Sequence, residues 1–220
     1  MNAITLLSGG LDSTVLLASL LHDGATVRAL SVNYGQRHVT ELRAASTIAA
    51  HFGVEHRIAD LRSLLPFLRG SSQTSPEIAV PHGHYAAETM KQTVVPNRNM
   101  ILLSVAAAWA ISTGSETIAY AAHAGDHAIY PDCRPEFMDA MGVALGLADW
   151  HTLALYAPFR ARTKADIVSL GHALGAPLSH TWSCYEGAEQ HCGKCGTCCE
   201  RQEAFTLAEV PDPTAYLEPA

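Results

Sequence analysis

The sequence predicts an α/β fold: a parallel five-stranded sheet in the order 3-2-1-4-5, helices on both faces, and a small cysteine-rich C-terminal region. Three observations predict it. Short apolar runs alternate with helical segments through about residue 175, as in a parallel sheet whose crossovers are helices. A glycine-rich polar turn, Ser8-Gly9-Gly10-Leu11-Asp12-Ser13-Thr14, follows the first apolar run and opens the first helix. Polar groups also gather after later runs, at the carboxyl ends of strands, where open α/β sheets bind ligands.

The elements follow in order. Residues 3–7 read as a buried strand and 15–21 as the body of the first helix. His22-Asp23-Gly24 turns the chain. Residues 26–32 form the second strand, and Asn33-Tyr34-Gly35-Gln36-Arg37-His38 lies at its carboxyl end. Residues 41–52 are helical, Gly53 stops them, and 54–61 form a third, weaker strand. Residues 65–95 break the rhythm with Pro66, Pro76 and Pro81, and are expected to be an irregular insertion serving as a lid. His82 and His84 within it are too few for a tight metal site and read as solvated. Asn97 or Asn99 is expected to cap the apolar helix 100–111. Residues 116–122 and 152–157 are the fourth and fifth strands; Pro135 fits the first turn of the helix between them, and Thr163 caps the helix that begins at Lys164. In this topology the loops at Ser8, Asn33, Arg98 and 126–134 converge on one cleft beside the first strand.

The turn at 8–14 has the chemistry of a phosphate site. Gly9 and Gly10 let backbone approach an anion, and a helix N-terminus supplies unpaired N–H groups and partial positive charge. Asp12 would repel phosphate unless a cation lay between them, which suggests Mg²⁺ bound with a nucleotide. Neither the P-loop lysine nor the dinucleotide G-x-G-x-x-G is present. A merely flexible turn with Asp12 as a helix cap is the alternative; the complete hexamer between strand and helix favours phosphate.

The chain of 220 residues has 14 basic and 21 acidic residues and a net charge of −7, which argues against an extensive nucleic-acid surface. No apolar run reaches the roughly 18 residues of a membrane span, and the N-terminal residues lack a signal-peptide pattern. A cytoplasmic location is therefore expected, where cysteines bind metal more readily than they pair. Cys184, Cys192, Cys195 and Cys198 have the spacing C-x7-C-x2-C-x2-C, which fits one structural Zn²⁺, with Cys199 to spare. A redox C-x-x-C or an iron–sulfur cluster accounts for this pattern less well. Cys133 stands alone and reads as packed.

The pattern S-G-G-x-D-S resembles the pyrophosphate loop of the PP-loop, or ATP-pyrophosphatase, superfamily, whose sheet is Rossmann-like and HUP-type. With the cysteine cluster added, the chain resembles the QueC family, the 7-cyano-7-deazaguanine synthases. The resemblance is carried by 8–14, Val32-Asn33-Tyr34-Gly35-Gln36-Arg37-His38, Val95-Pro96-Asn97-Arg98-Asn99, Tyr130-Pro131-Asp132-Cys133-Arg134-Pro135-Glu136-Phe137, Lys164, Thr181-Trp182-Ser183-Cys184-Tyr185 and Cys192-Gly193-Lys194-Cys195 through Cys198 and Arg201.

It implies a PP-loop domain over 1–175 and a zinc-binding region over 176–220. It implies that 7-carboxy-7-deazaguanine, ammonia and ATP give the 7-cyano base through adenylated carboxylate and amide intermediates, releasing AMP and pyrophosphate. The ATP site is expected over Ser8, Gly9, Gly10, Leu11, Asp12, Ser13, Thr14, Val15, Leu16, Leu17 and Ala18. Asp12, Ser13, Arg98 and Lys164 are expected to be catalytic. Substrate contacts are expected from Tyr34, Gln36, Arg37, His38, Arg98, Asn99, Asp132, Arg134, Glu136 and Arg160, with Asp132 or Glu136 reading the guanine-like edge. Small-molecule substrates only and a homodimer are implied. The alternatives are another PP-loop adenylating amidotransferase, a tRNA-thiolation-type enzyme, or a non-catalytic zinc-stabilised nucleotide-binding module.

Overall fold

The computed structural model describes residues 1–85 and 88–217. Five strands, β1 (Asn2–Leu6), β2 (Thr26–Asn33), β3 (Glu55–Asp60), β4 (Thr117–Ala119) and β5 (Ala154–Tyr156), form one parallel sheet in the order β3-β2-β1-β4-β5. Six α-helices connect and cover it: α1 (Leu11–His22), α2 (Thr40–Phe52), α3 (Arg98–Thr113), α4 (Pro135–Gly146), α5 (Lys164–Ala173) and α6 (Gly196–Leu207). The predicted topology is the observed one. Strands four and five are shorter than the sequence suggests, and α1 begins within the polar turn itself.

Period-two alternation sorts the sheet residues between two cores. Ile4, Leu6, Leu30, Val32 and Ile118 face α3 and α4, meeting Leu103, Ala106 and Met141. Val27, Ala29 and Ala119 face the other side, with Leu11, Val15, Leu16 and Leu17 of α1, Ile48 of α2, Ile167 of α5 and Phe205 of α6. Leu178, Ala204 and Phe205 belong to that second core. The cysteine-rich region is thus continuous with the body of the protein. No helix among the described residues is long and apolar enough to cross a membrane.

Gly53 ends α2 in the left-handed region, as expected. Thr163 and Asp166 form a reciprocal capping box at the start of α5. Asn97 occupies the cap position of α3 without a side-chain hydrogen bond. The capping is done from elsewhere: the Asp132 carboxylate accepts the Asn99 N–H at 3.0 Å.

The insertion is irregular apart from two short 3-10 helices, Arg62–Phe67 and Glu88–Thr93. Its polar middle, Ser71-Ser72-Gln73-Thr74-Ser75, is buried. The Arg37 guanidinium donates to the carbonyls of Ser75, Pro76 and Ile78. Farther along, Gly83 N–H donates to Lys194 O at 3.0 Å and His82 meets Glu186 at 2.8 Å. This segment, expected as a free lid, is fastened at its middle and at the cysteine loop. His82 and His84 are exposed, as read from the sequence.

Arg201 is the largest fully buried side chain. Its guanidinium donates to Thr181 Oγ1, Ser183 Oγ and Leu178 O, and pairs with Asp212 at 3.3 Å, pinning α6 to the segment before the cysteines. Truncation leaves Asp212 and these acceptors without their donor. Arg201→Ala is expected to lower the unfolding free energy by about 3–5 kcal/mol in urea titrations; a loss under about 1 kcal/mol would mean that water satisfies the site.

Candidate active site

The phosphate-type turn is pre-shaped by its own hydroxyls. Ser13 Oγ accepts the Ser8 N–H at 3.2 Å, Ser8 Oγ accepts the Gly10 N–H at 3.1 Å, and Thr14 Oγ1 donates to Gly10 O at 2.7 Å. No side chain caps α1, so its first-turn amides remain for a ligand. Gly9 has φ +86°, and a Cβ there would stand 2.2 Å from Glu41 O. The turn therefore packs directly on α2. Trp182 N–H donates to Gly9 O at 2.8 Å, so the segment before the cysteines closes the other side. Val15, Leu16, Leu17 and Ala18 are buried in the core beneath α1. They support the turn from below and do not line the cleft.

The cleft opens at the carboxyl edge of β1, β2 and β4, where the topology puts the switch point. At the turn end lie Ser8, Gly10, Asp12, Ser13 and Lys164. Lys164 Nζ donates to Asp12 Oδ2 at 2.7 Å and lies 3.2 Å from Glu200 Oε2. Burial pushes the Asp12 carboxyl up, but the Lys164 ammonium and His123 overcome it, and the group lies below its ordinary value. Burial likewise disfavours the Lys164 ammonium, and Asp12 and Glu200 more than restore it. Burial leaves Glu200 above its ordinary value, despite Lys164 and His123. His123 Nδ1 accepts the Gly125 N–H, and its Nε2 lies 3.3 Å from Lys164 Nζ. That atom faces Asp126, Glu200 and Asp12 at 3.6, 3.8 and 3.9 Å.

The other end of the cleft is aromatic. Tyr34, Tyr85, Tyr120, Tyr130 and Tyr185 line it around Arg98 and Cys133. Arg98 stands 5.7 Å over the Tyr130 ring and donates to Asn99 Oδ1 at 3.3 Å. No carboxylate among the described residues forms an ion pair with it. Burial pushes the Tyr34 hydroxyl up to about 12, against the pull of Arg98, so it stays protonated at neutral pH. Burial, reinforced by Asp126, pushes the Cys133 thiol up to about 12. Cys133 is therefore a packed thiol that accepts from Asn99 Nδ2, and not a thiolate nucleophile.

Of the residues expected at the substrate, Tyr34, His38, Arg98 and Asn99 line the cleft, and six do not. Gln36 is buried beneath the loop, holding Val32 O, Glu41 and the Tyr34 N–H. Arg37 is committed to the insertion. Asp132 caps α3. Arg134 is exposed and donates to His127 O; Glu136 is exposed on α4; Arg160 pairs with Asp139 on the surface. The sequence reading missed Glu200, Glu41 and the four further tyrosines. Tyr130 and Tyr185 stood within quoted motifs, Tyr85 lay in the segment taken for a lid, and Glu200 was hidden beside the cysteines.

The sulfurs of Cys184, Cys192, Cys195 and Cys198 all lie within 4.8 Å of one another, an arrangement able to hold one metal ion. Backbone N–H groups of Cys192 and Cys195 point at Cys184 Sγ and Cys192 Sγ at 3.4 and 3.2 Å. Cys199 turns away, its thiol toward Lys194 O.

The parallel 3-2-1-4-5 sheet with S-G-G-x-D-S at the carboxyl end of its central strand is the arrangement that the sequence resemblance implies. Three solved or curated proteins give the comparison. A 7-cyano-7-deazaguanine synthase from Methanoregula boonei is 50% identical over 216 residues, 98% of this chain and 99% of its own length. A 4-thiouridine synthetase in complex with RNA and bound ATP superposes with a TM-score of 0.53 at 14% identity, over 94% of this chain and 50% of that one. A tRNA thiolase from Methanococcus maripaludis with a [4Fe-4S] cluster gives 0.50 at 17% identity, over 80% of this chain and 58% of that one. The family model described as queuosine biosynthesis protein QueC matches residues 2–209. The chain belongs to the QueC family.

Gly9 tests the turn directly. Gly9→Ala is expected to weaken ATP binding by at least about tenfold, because the new methyl drives the turn off α2. Gly24→Ala, also at positive φ but in open space, is the control and is expected to leave ATP affinity unchanged in calorimetry. Equal affinities for both variants would show that the turn is not where phosphates bind.

Proposed function

We propose that the protein makes 7-cyano-7-deazaguanine from 7-carboxy-7-deazaguanine, ammonia and ATP. The observation that carries this reading is one cleft with two unlike ends. One is the phosphate-type turn with Lys164 and Asp12; the other is Arg98, without a carboxylate partner, among tyrosines. A planar aromatic carboxylate complements the second end: the guanidinium receives the acid and the rings cover the base.

A carboxylate is a poor electrophile. Its oxygen attacks the α-phosphorus of ATP and pyrophosphate leaves. Ammonia then displaces AMP, giving the amide and releasing a proton. A second ATP adenylates the amide oxygen, again releasing pyrophosphate, and loss of AMP and the remaining N–H proton leaves the nitrile. In each adenylation the α1 amides and Lys164 stabilise charge developing on the leaving pyrophosphate. Ammonia attacks directly, since Cys133 stays protonated.

Mg²⁺ fits the turn. Asp12 Oδ1 is buried without a hydrogen-bond partner, and Asp12, Asp126 and Glu200 together outweigh the charge of Lys164. Asp12 would hold the ion, which supplies Lewis-acid stabilisation of phosphate charge. The four-sulfur set fits structural Zn²⁺, held by Cys184, Cys192, Cys195 and Cys198.

A thiolation-type activity would need a reactive cysteine pair at the cleft. Four cysteines are gathered at the metal site and Cys133 is protonated, which supports a small-molecule reading. A cytoplasmic location belongs to the same proposal. So does a homodimer, supported by exposed Val143 and Leu147 with Trp150 just beyond α4. Light scattering on a sizing column measures it; a monomer at all working concentrations overturns it.

Mass spectrometry of a reaction with 7-carboxy-7-deazaguanine, ammonium, Mg²⁺ and ATP is expected to find nitrile, AMP and pyrophosphate. Nitrile with ADP would overturn the role given to the turn. Arg98→Lys loses two-pronged contact with the acid, worth about 1.5–3 kcal/mol. Its KM for the acid should rise by about tenfold to a hundredfold, with KM for ATP little changed. The reverse split would move Arg98 to the nucleotide.

A further inference from the structure

The adenylation chemistry employs Asp12 and Lys164 and leaves Glu200 without a task. Glu200 comes from α6, whose N-terminal turn grows out of the cysteine knuckle: Cys195 immediately precedes the helix and Cys198 lies within its first turn. Two positions along a helix rotate a side chain by about 200°. Cys198 therefore faces the sulfur cluster while Glu200 faces Lys164, which lines the cleft. There its carboxylate spans Lys164 Nζ at 3.2 Å and His123 Nε2 at 3.8 Å. The setting is tight, for a Cβ at Gly125 would meet Glu200 Oε1 at 3.2 Å. One turn of helix thus separates the metal ligands from the ammonium that pairs with Asp12.

We propose that Glu200 is a positioning residue: it holds the Lys164 ammonium against Asp12, and the metal held by the cysteines fixes where Glu200 stands. Its effect on turnover rests on the adenylation reading; its effect on Lys164 does not. The metal site then serves the cleft through α6 and not only the local fold. Arg201, one residue on, secures the same turn of helix to Thr181 and Ser183, so loss of metal releases one hold on α6 while another persists.

The test is competitive labelling with acetic anhydride, read lysine by lysine by mass spectrometry. Lys91, exposed on the insertion, is the internal reference. An ammonium released from the carboxylate that holds it is open to the reagent for more of the time and labels faster. In metal-loaded Glu200→Gln, Lys164 is expected to label about tenfold faster relative to Lys91 than in metal-loaded wild type, because its contact with Glu200 is lost. Metal content should be unchanged, and circular dichroism should show the variant folded at the labelling temperature. Stripping wild type with a chelator should speed Lys164 labelling in the same direction, and stripping Glu200→Gln should add little. Glu200→Asp, which keeps the charge on a shorter arm, should lie between wild type and Glu200→Gln.

Unchanged Lys164 labelling in loaded Glu200→Gln would overturn the role of Glu200. Unchanged labelling in stripped, still-folded wild type would overturn the link to the metal. If stripping unfolds the chain by circular dichroism, Cys199→Ser and Cys198→Ser decide the link: only the second is expected to speed Lys164 labelling, and equal effects refute it. In the nitrile assay Glu200→Gln should lower kcat about tenfold with KM for the acid unchanged. Wild type inactive on that acid would refute the proposed function, while the labelling results would still judge Glu200.

Discussion

Lys164 is the charge on which the cleft depends. Its ammonium joins Asp12, in the first turn of the first helix, to Glu200, in the second turn of the last. A lone buried ammonium would lose several kcal/mol of hydration, and a lone buried carboxylate as much. Together they are tolerable, and their mutual demand fixes geometry that a soft loop could not. The sheet supplies the frame: β1 delivers Asp12 and the fifth helix delivers Lys164 across the switch point. The C-terminal helix completes the set. His123 Nε2 faces the same carboxylates and Lys164 itself.

The aromatic end obeys a different rule. Arg98 is surrounded by hydroxyl groups and rings, which lower the cost of burying a guanidinium without cancelling its charge. The walls come from five separate places: Tyr34 after β2, Tyr85 in the insertion, Tyr120 after β4, Tyr130 before α4, and Tyr185 beside a cysteine ligand. The insertion therefore has a structural reason for its many polar tethers. Its Tyr85 hydroxyl bonds Asp126 at 3.0 Å and its Thr93 hydroxyl bonds that of Tyr130 at 2.6 Å. A loosely attached segment could not keep a ring in a fixed wall.

Sheet order and the turn were legible in the sequence because both are local or periodic: alternation gives strands, and Ser8 to Ser13 sit in one contiguous run. The four-cysteine set was legible for the same reason. The expected substrate contacts that lie away from the cleft are those whose own contacts come from distant partners. Asp132 looks like a base-reading carboxylate until α3 is seen to end beside it. Arg37 looks like an anion ligand until three carbonyls of the insertion are found on its guanidinium. Arg160 looks alike until Asp139 meets it on the surface. Glu200 illustrates the converse. A metal ligand, Cys198, lies two positions before it, and only the rotation of α6 separates its direction from that of Cys198.

The hydrogen bond from Trp182 N to Gly9 O has a consequence for the order of folding. The turn at 8–14 is a local feature, but its closure waits on a contact between residues 9 and 182, and its charge set waits on Glu200. Contacts so distant in sequence carry a loop-closure cost that local ones do not, and they form late. Docking of α6 and assembly of the charge set around Lys164 are, in this fold, one event.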